Sequence, residues 1–105
     1  MTKAPVSFKC EDSLFQYLKD GKKSWEARLR DPADPRWKRL LRLEYSKERN
    51  LMAPVEKAIT FVNKATGEQL TLAFMWFELD KPSGGWVLLK LGHPWKPRVR
   101  EKGRF

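Results

Sequence analysis

The stretch Gly21-Lys22-Lys23-Ser24-Trp25-Glu26-Ala27-Arg28 brings two ammonium groups, a carboxylate and a guanidinium into one short window. Groups of these types, close together, can hold an anion, accept hydrogen bonds from a base, or move a proton. Which of these they do depends on which of them share a face. If 24–30 is a strand, Ser24, Glu26, Arg28 and Arg30 point one way, and Lys23, Trp25, Ala27 and Leu29 point the other. One face then carries Glu26 beside two guanidinium groups, with Lys23 at the junction with the preceding segment. A solvated, ion-paired face has the same appearance, and that is what most charge runs turn out to be. Glu26 and Arg28, an i,i+2 pair on one strand face, would also suit an ordinary ion pair.

The neighbouring segments must position this window. Asp12 to Asp20 is a short amphipathic run with Leu14, Phe15 and Leu18 at helical spacing, and Gly21 is placed to stop it. Asp12 or Ser13 is the expected N-cap of a helix over 12–20. Residues 1–10 read as extended. Asp31-Pro32-Ala33-Asp34-Pro35 is a loop, and 36–45 reads as a turn of helix leading into a strand. The polar segment 46–54 reads as loop. A hairpin is expected from 56–63 and 68–78, around Lys64-Ala65-Thr66-Gly67. In its second strand, Leu70, Leu72, Phe74 and Trp76 share one face, and Ala73, Met75 and Phe77 the other. The turn Lys81 to Gly85 leads to a last strand over 86–91. Five or six strands with one or two short helices predict an α+β, mainly β fold, a small mixed or antiparallel β-barrel.

The phrase Phe15-x-x-Leu18-x-x-Gly21-x-Lys23-x-x-Glu26-x-Arg28 resembles the signature of ASCH domains, small barrels related to the PUA RNA-binding fold. The resemblance covers about residues 14–30. It implies a PUA-like barrel that binds RNA in a cleft lined by the motif strand. Some small bacterial members are amidohydrolases of acetylated cytidine nucleosides, which combine the motif lysine with a threonine and a distal glutamate. Lys23 matches that lysine, but Glu26 stands at the threonine position and the distal glutamate has no counterpart. Leu79 to Gly85 is a bare turn where the hydrolases place an acidic helical segment, and the usual Gly-Asp turn after the motif is absent.

With 105 residues and 41% hydrophobic content, the chain has room for one domain with a modest core. The division expected is a domain over 1–92 and a flexible basic arm over 93–105. The single cysteine, Cys10, excludes an internal disulfide and a cysteine-based zinc cluster. No apolar run reaches the roughly 20 residues that span a bilayer. The start has no signal-peptide character, so a cytoplasmic location is expected. The 22 Lys plus Arg against 13 Asp plus Glu give a net charge of +9, which favours a polyanionic partner. The arm adds Lys96, Arg98 and Arg100, which can lie along phosphates or be simply solvated.

Aromatic residues among cations can stack unpaired bases. Trp37 and Trp95 have that setting, or else pack over a barrel edge, whereas Trp25, Trp76 and Trp86 are expected in the core. His93, the only histidine, lacks the partners a metal site requires, and no glycine-rich phosphate loop occurs, so neither metal nor cofactor is expected. The expected function is therefore binding of RNA or a nucleotide ligand through Lys22, Lys23, Glu26, Arg28 and Arg30, with Trp37, Trp95 and the arm assisting. Two alternatives stand beside it. One is a hydrolase of a modified nucleoside, with Lys23 as base or nucleophile and Glu26 as its partner. The other is an interaction or inhibitor module that docks an acidic protein.

Overall fold

The computed structural model describes residues 4–81 and 84–95. The elements run β1 (Val6–Cys10), α1 (Asp12–Lys19), β2 (Trp25–Arg30), α2 (Pro35–Leu40), β3 (Leu43–Ser46), β4 (Leu51–Pro54), β5 (Ala58–Asn63), β6 (Gln69–Lys81) and β7 (Gly84–Pro94). The main sheet has the order β1-β5-β6-β7-β2, and β3 pairs with β4 separately. Only β1 and β5 run parallel in the main sheet; its other pairs are antiparallel. The fold is thus mainly β with two short helices, and the main sheet curls into a half-barrel. Its two edge strands are β1 and β2.

Local chemistry accounts for most of these elements. The α1 helix buries Phe15 and Leu18. It ends in a Schellman motif: Gly21, at φ +74°, donates to the Leu18 carbonyl, and Lys22 donates to that of Tyr17. The N-cap falls at Glu11, one residue before the expected positions, with no capping hydrogen bond from its side chain. Asp12 is instead occupied by the Asn63 amide at 2.8 Å. The α2 helix follows its sequence signals: the Asp34 carboxylate accepts from the Arg36 N–H, and Pro35 opens the first turn.

The segment 46–54 is not simply loop. Its polar residues make the turn of the β3–β4 hairpin, with Asn50 in the left-handed region at φ +54°. The strands there are only four residues each, too short for alternation to show against the polar turn. The last strand is longer than expected, from Gly84 to Pro94 rather than 86–91, and so runs past the expected domain boundary at 92. The expected 81–85 turn falls partly on residues 82–83, outside the described residues.

Phe8, Phe15, Leu18, Trp37, Leu40, Ile59, Phe61, Phe74, Val87 and Leu89 form the main part of the core. Trp37 is 4% exposed and lies against Phe8 with ring centroids 5.0 Å apart, so it is a core residue and not an exposed stacking face. The other tryptophans reverse the expectation in the opposite sense. Trp25, Trp76 and Trp86 are all exposed, Trp86 to 53%. For Trp76 the cause is a register shift in the β6–β7 ladder. Phe74 pairs with Leu91 and Trp76 with Lys90, so β6 gains a residue relative to its partner and its alternation slips. Phe74 stays buried, Met75 and Trp76 turn outward, and Phe77 returns toward the core. Gly92 lies beside this irregularity; a Cβ there would come 3.1 Å from the Met75 sulfur.

Trp37→Ala is expected to cost about 3–5 kcal/mol of stability, because it opens a cavity against Phe8. Trp86→Ala should cost less than about 1 kcal/mol. Urea denaturation of the two variants measures the difference.

Candidate functional site

The described half-barrel leaves a seam between the edges of β1 and β2. Edge strands present unpaired backbone groups, which proteins generally cover. Here arginine side chains cover carbonyls of β1 and of the segment leading into it. Arg28 donates to the Lys9 carbonyl at 3.1 Å, Arg36 to the Ser7 carbonyl at 2.7 Å, and Arg39 to the Ala4 carbonyl. Two of these guanidiniums also lie over the Phe8 ring, Arg28 at 4.7 Å and Arg36 at 4.3 Å from its centroid. Arg28 belongs to β2, so it ties one edge of the seam to the other.

Beside Arg28 lies Glu26. The strand alternates as expected, but its polar face turns inward and its apolar face outward. Glu26 is buried and Arg28 and Arg30 half-buried, while Trp25 and Leu29 are exposed, which corrects the expected core position of Trp25. The Glu26 side chain is 5% exposed and has two cations near it. The Lys23 ammonium is 3.7 Å from Oε1, and an Arg28 nitrogen is 3.9 Å from Oε2. Both distances are long for hydrogen bonds, and Oε2 has no hydrogen-bond partner. A buried carboxylate oxygen without a donor is costly to keep.

A cleft of about 400 Å³ opens here, lined by Lys9, Cys10 and Glu11 on one side and by Glu26, Arg28 and Leu29 on the other. Trp86, paired across the ladder with Leu29, stands at its rim. Leu14 and Lys64 complete it. Lys64 reaches this place because the parallel β1–β5 pairing sets Cys10 beside Asn63, and the Lys64 N–H donates to the Cys10 carbonyl. Burial pushes the Cys10 thiol above its ordinary value, against the pull of Arg28, so it lines the cleft as a neutral group.

The structure thus gathers Lys23, Glu26 and Arg28. Lys22 is exposed just past the α1 cap. Arg30 turns to the far end of the strand, where it donates to the Lys81 carbonyl at 2.9 Å. Trp37 is in the core, and half-buried Trp95 donates its backbone N–H to the Thr71 carbonyl. Lys96, Arg98 and Arg100, with the rest of the expected arm from 96 on, lie outside the described residues. Sequence inspection missed Lys9, Arg36, Lys64 and Trp86. Lys9 could have been flagged by the alternation of β1, but Lys64 enters only through a long-range parallel pairing. Among the described residues, no group of three or more His, Cys, Asp or Glu side chains could hold a metal ion, and no helix is long and apolar enough to cross a membrane.

Burial pushes the Glu26 carboxyl above its ordinary value of 4.5, and Lys23, then Arg28, pull it partway back. In the window above 4.5, the folded protein keeps a proton that the unfolded chain has lost, so stability falls as pH rises through it. Above the raised value the ionised carboxylate is a standing penalty. Glu26→Gln should therefore be more stable than the parent at pH 7, and the gain should fade as pH drops below 4.5. Urea denaturation at the two pH values checks this; a loss of stability at pH 7 would show that the ion pairs outweigh burial. No family model, no curated protein and no solved structure matches the chain.

Proposed function

We propose that this protein binds RNA or a nucleotide-containing ligand in the seam cleft, with Glu26 as the group that reads a base. The observation that carries this is the Glu26 carboxylate: buried, ringed by cations, and left with one oxygen that no donor satisfies. A base amino or imino group is a donor of the required kind. The exposed Trp86 indole at the rim offers a face for stacking. The net charge of +9 supplies attraction to phosphate. The resemblance of Gly21, Lys23, Glu26 and Arg28 to the ASCH signature points the same way.

Binding fits the geometry better than catalysis. A lysine that serves as base or nucleophile is usually activated by desolvation. The Lys23 side chain is 41% exposed. The groups nearest Glu26 among the described residues are two cations that hold a charge in place.

A titration with single-stranded and structured RNA, followed by tryptophan fluorescence at two salt concentrations, tests the proposal. Saturable binding that weakens with salt is expected. Glu26→Ala should weaken it by about tenfold or more, the worth of a hydrogen bond to a charged group. A purely electrostatic patch would bind more tightly when an acid is removed. Tighter binding by Glu26→Ala, or no binding at low salt, would overturn the proposal.

A further inference from the structure

Next to the Glu26 cleft lies a second depression of about 410 Å³, lined by Ser7, Lys9, Arg28, Arg36, Val62 and Lys64. Its lining holds four cations and no carboxylate. Lys9, Arg28 and Lys64 line both depressions, so the two adjoin at the Arg28 guanidinium. We infer that this depression is a phosphate site, and that the ligand spans the seam with its base at Glu26 and its phosphate among Lys9, Arg28, Arg36 and Lys64. The inference rests on the base-reading role proposed for Glu26, and it assigns the phosphate of that ligand to named residues.

Three features argue for a built site over a chance cluster of surface lysines. First, the guanidiniums are held before any ligand arrives. Arg28 and Arg36 are fixed by backbone carbonyls of β1 and by the Phe8 ring, so little side-chain freedom is lost on binding. Second, the counter-charges stand outside the lining. Asp34 grips Arg36 through several hydrogen bonds, and Glu11 holds Lys64 at 3.0 Å. The Lys64 pair is exposed on both sides and easily exchanged. Among the described residues, the Lys9 side chain has no hydrogen-bond or ion-pair partner. Third, burial disfavours the charged form of half-buried Arg28, Glu26 and Cys10 only partly offset this, and Arg36 nearby disfavours it further. An arriving anion relieves both, and it finds planar donors suited to phosphate oxygens.

Calorimetry with 5′-mononucleotides, the matching nucleosides and inorganic phosphate tests this, alongside Lys9→Gln/Lys64→Gln. Lys38→Gln/Lys47→Gln removes the same charge elsewhere on the surface and controls for it; circular dichroism confirms the fold of each. Nucleotides should bind about tenfold or more tightly than nucleosides. The first pair should abolish that difference and the control pair should keep it. Equal affinity for nucleotides and nucleosides would overturn the phosphate site while leaving base reading at Glu26 intact. Phosphate binding that depends on Lys9 and Lys64, with all bases bound equally, would keep the phosphate site and overturn the role of Glu26. Absence of binding by nucleotides and phosphate alike would overturn the phosphate site. Two oligonucleotides, one 5′-phosphorylated and one 5′-hydroxyl, then separate the sources. A preference for the first marks a monoester site, and equal binding marks a backbone diester.

Discussion

The Arg28 guanidinium spans a gap that no strand pairing closes. One of its nitrogens meets the Lys9 carbonyl on the far edge, another faces Glu26, and its plane lies near the Phe8 ring. A half-barrel with two bare edges is open to pairing with other chains. Continuing the ladder from β2 to β1 would remove that hazard and also remove the space between them. Closing the gap with long side chains covers the carbonyls of Ala4, Ser7 and Lys9 and leaves room beside them. The cleft is thus a consequence of how the edge is protected. Its positive character follows too, since arginine can donate to several carbonyls and carry its charge at the same time.

Glu26 makes sense only inside this arrangement. A buried carboxylate is expensive unless it is paired and hydrogen-bonded, and Glu26 is paired at long range and hydrogen-bonded incompletely. An apolar residue at the position would pack against Leu89 across the ladder at no such cost. The chain instead keeps a costly electrostatic arrangement beside Arg28, where the two edges and the two depressions meet. Sites that bind tend to be built this way, with groups held ready for a ligand that completes them.

Local pattern made some of this legible and long-range geometry hid the rest. The α1 helix, its glycine stop, the α2 cap and the β5–β6 hairpin rest on neighbours in sequence, and they appear close to where propensity and capping place them. The alternation of β2 was legible too, but its direction was not. Trp25 and Leu29 look like core residues, and Glu26 and Arg28 like surface ones, until the curl of the sheet turns the charged face inward. Trp76 failed for a different reason. A register slip between β6 and β7 reverses its face, and nothing within β6 marks the slip. Trp37 was drawn toward the surface by its flanking Arg36 and Lys38, although a helix this short can bury one face among charged neighbours. Lys64 could join Lys9 only through the parallel pairing of β1 with β5.

The positive charge that first suggests a polyanion is not one resource but two. Arg39 is committed to Glu56 and the Ala4 carbonyl, Arg42 to Glu44, Lys19 to Glu68, and Arg30 to the Lys81 carbonyl. These cations hold edges and turns together and have less to offer a ligand. Lys9, Arg28, Arg36 and Lys64 instead line the seam together, with Arg36 held by Asp34 and the Ser7 carbonyl and Lys64 by an exposed pair with Glu11. A count over the whole chain adds the two classes together. Their separation in space is what turns a basic composition into a directed surface, because a field from dispersed, neutralised charges decays within about 10 Å at ordinary salt. Cations gathered around one depression beside the seam act together on an anion that enters it.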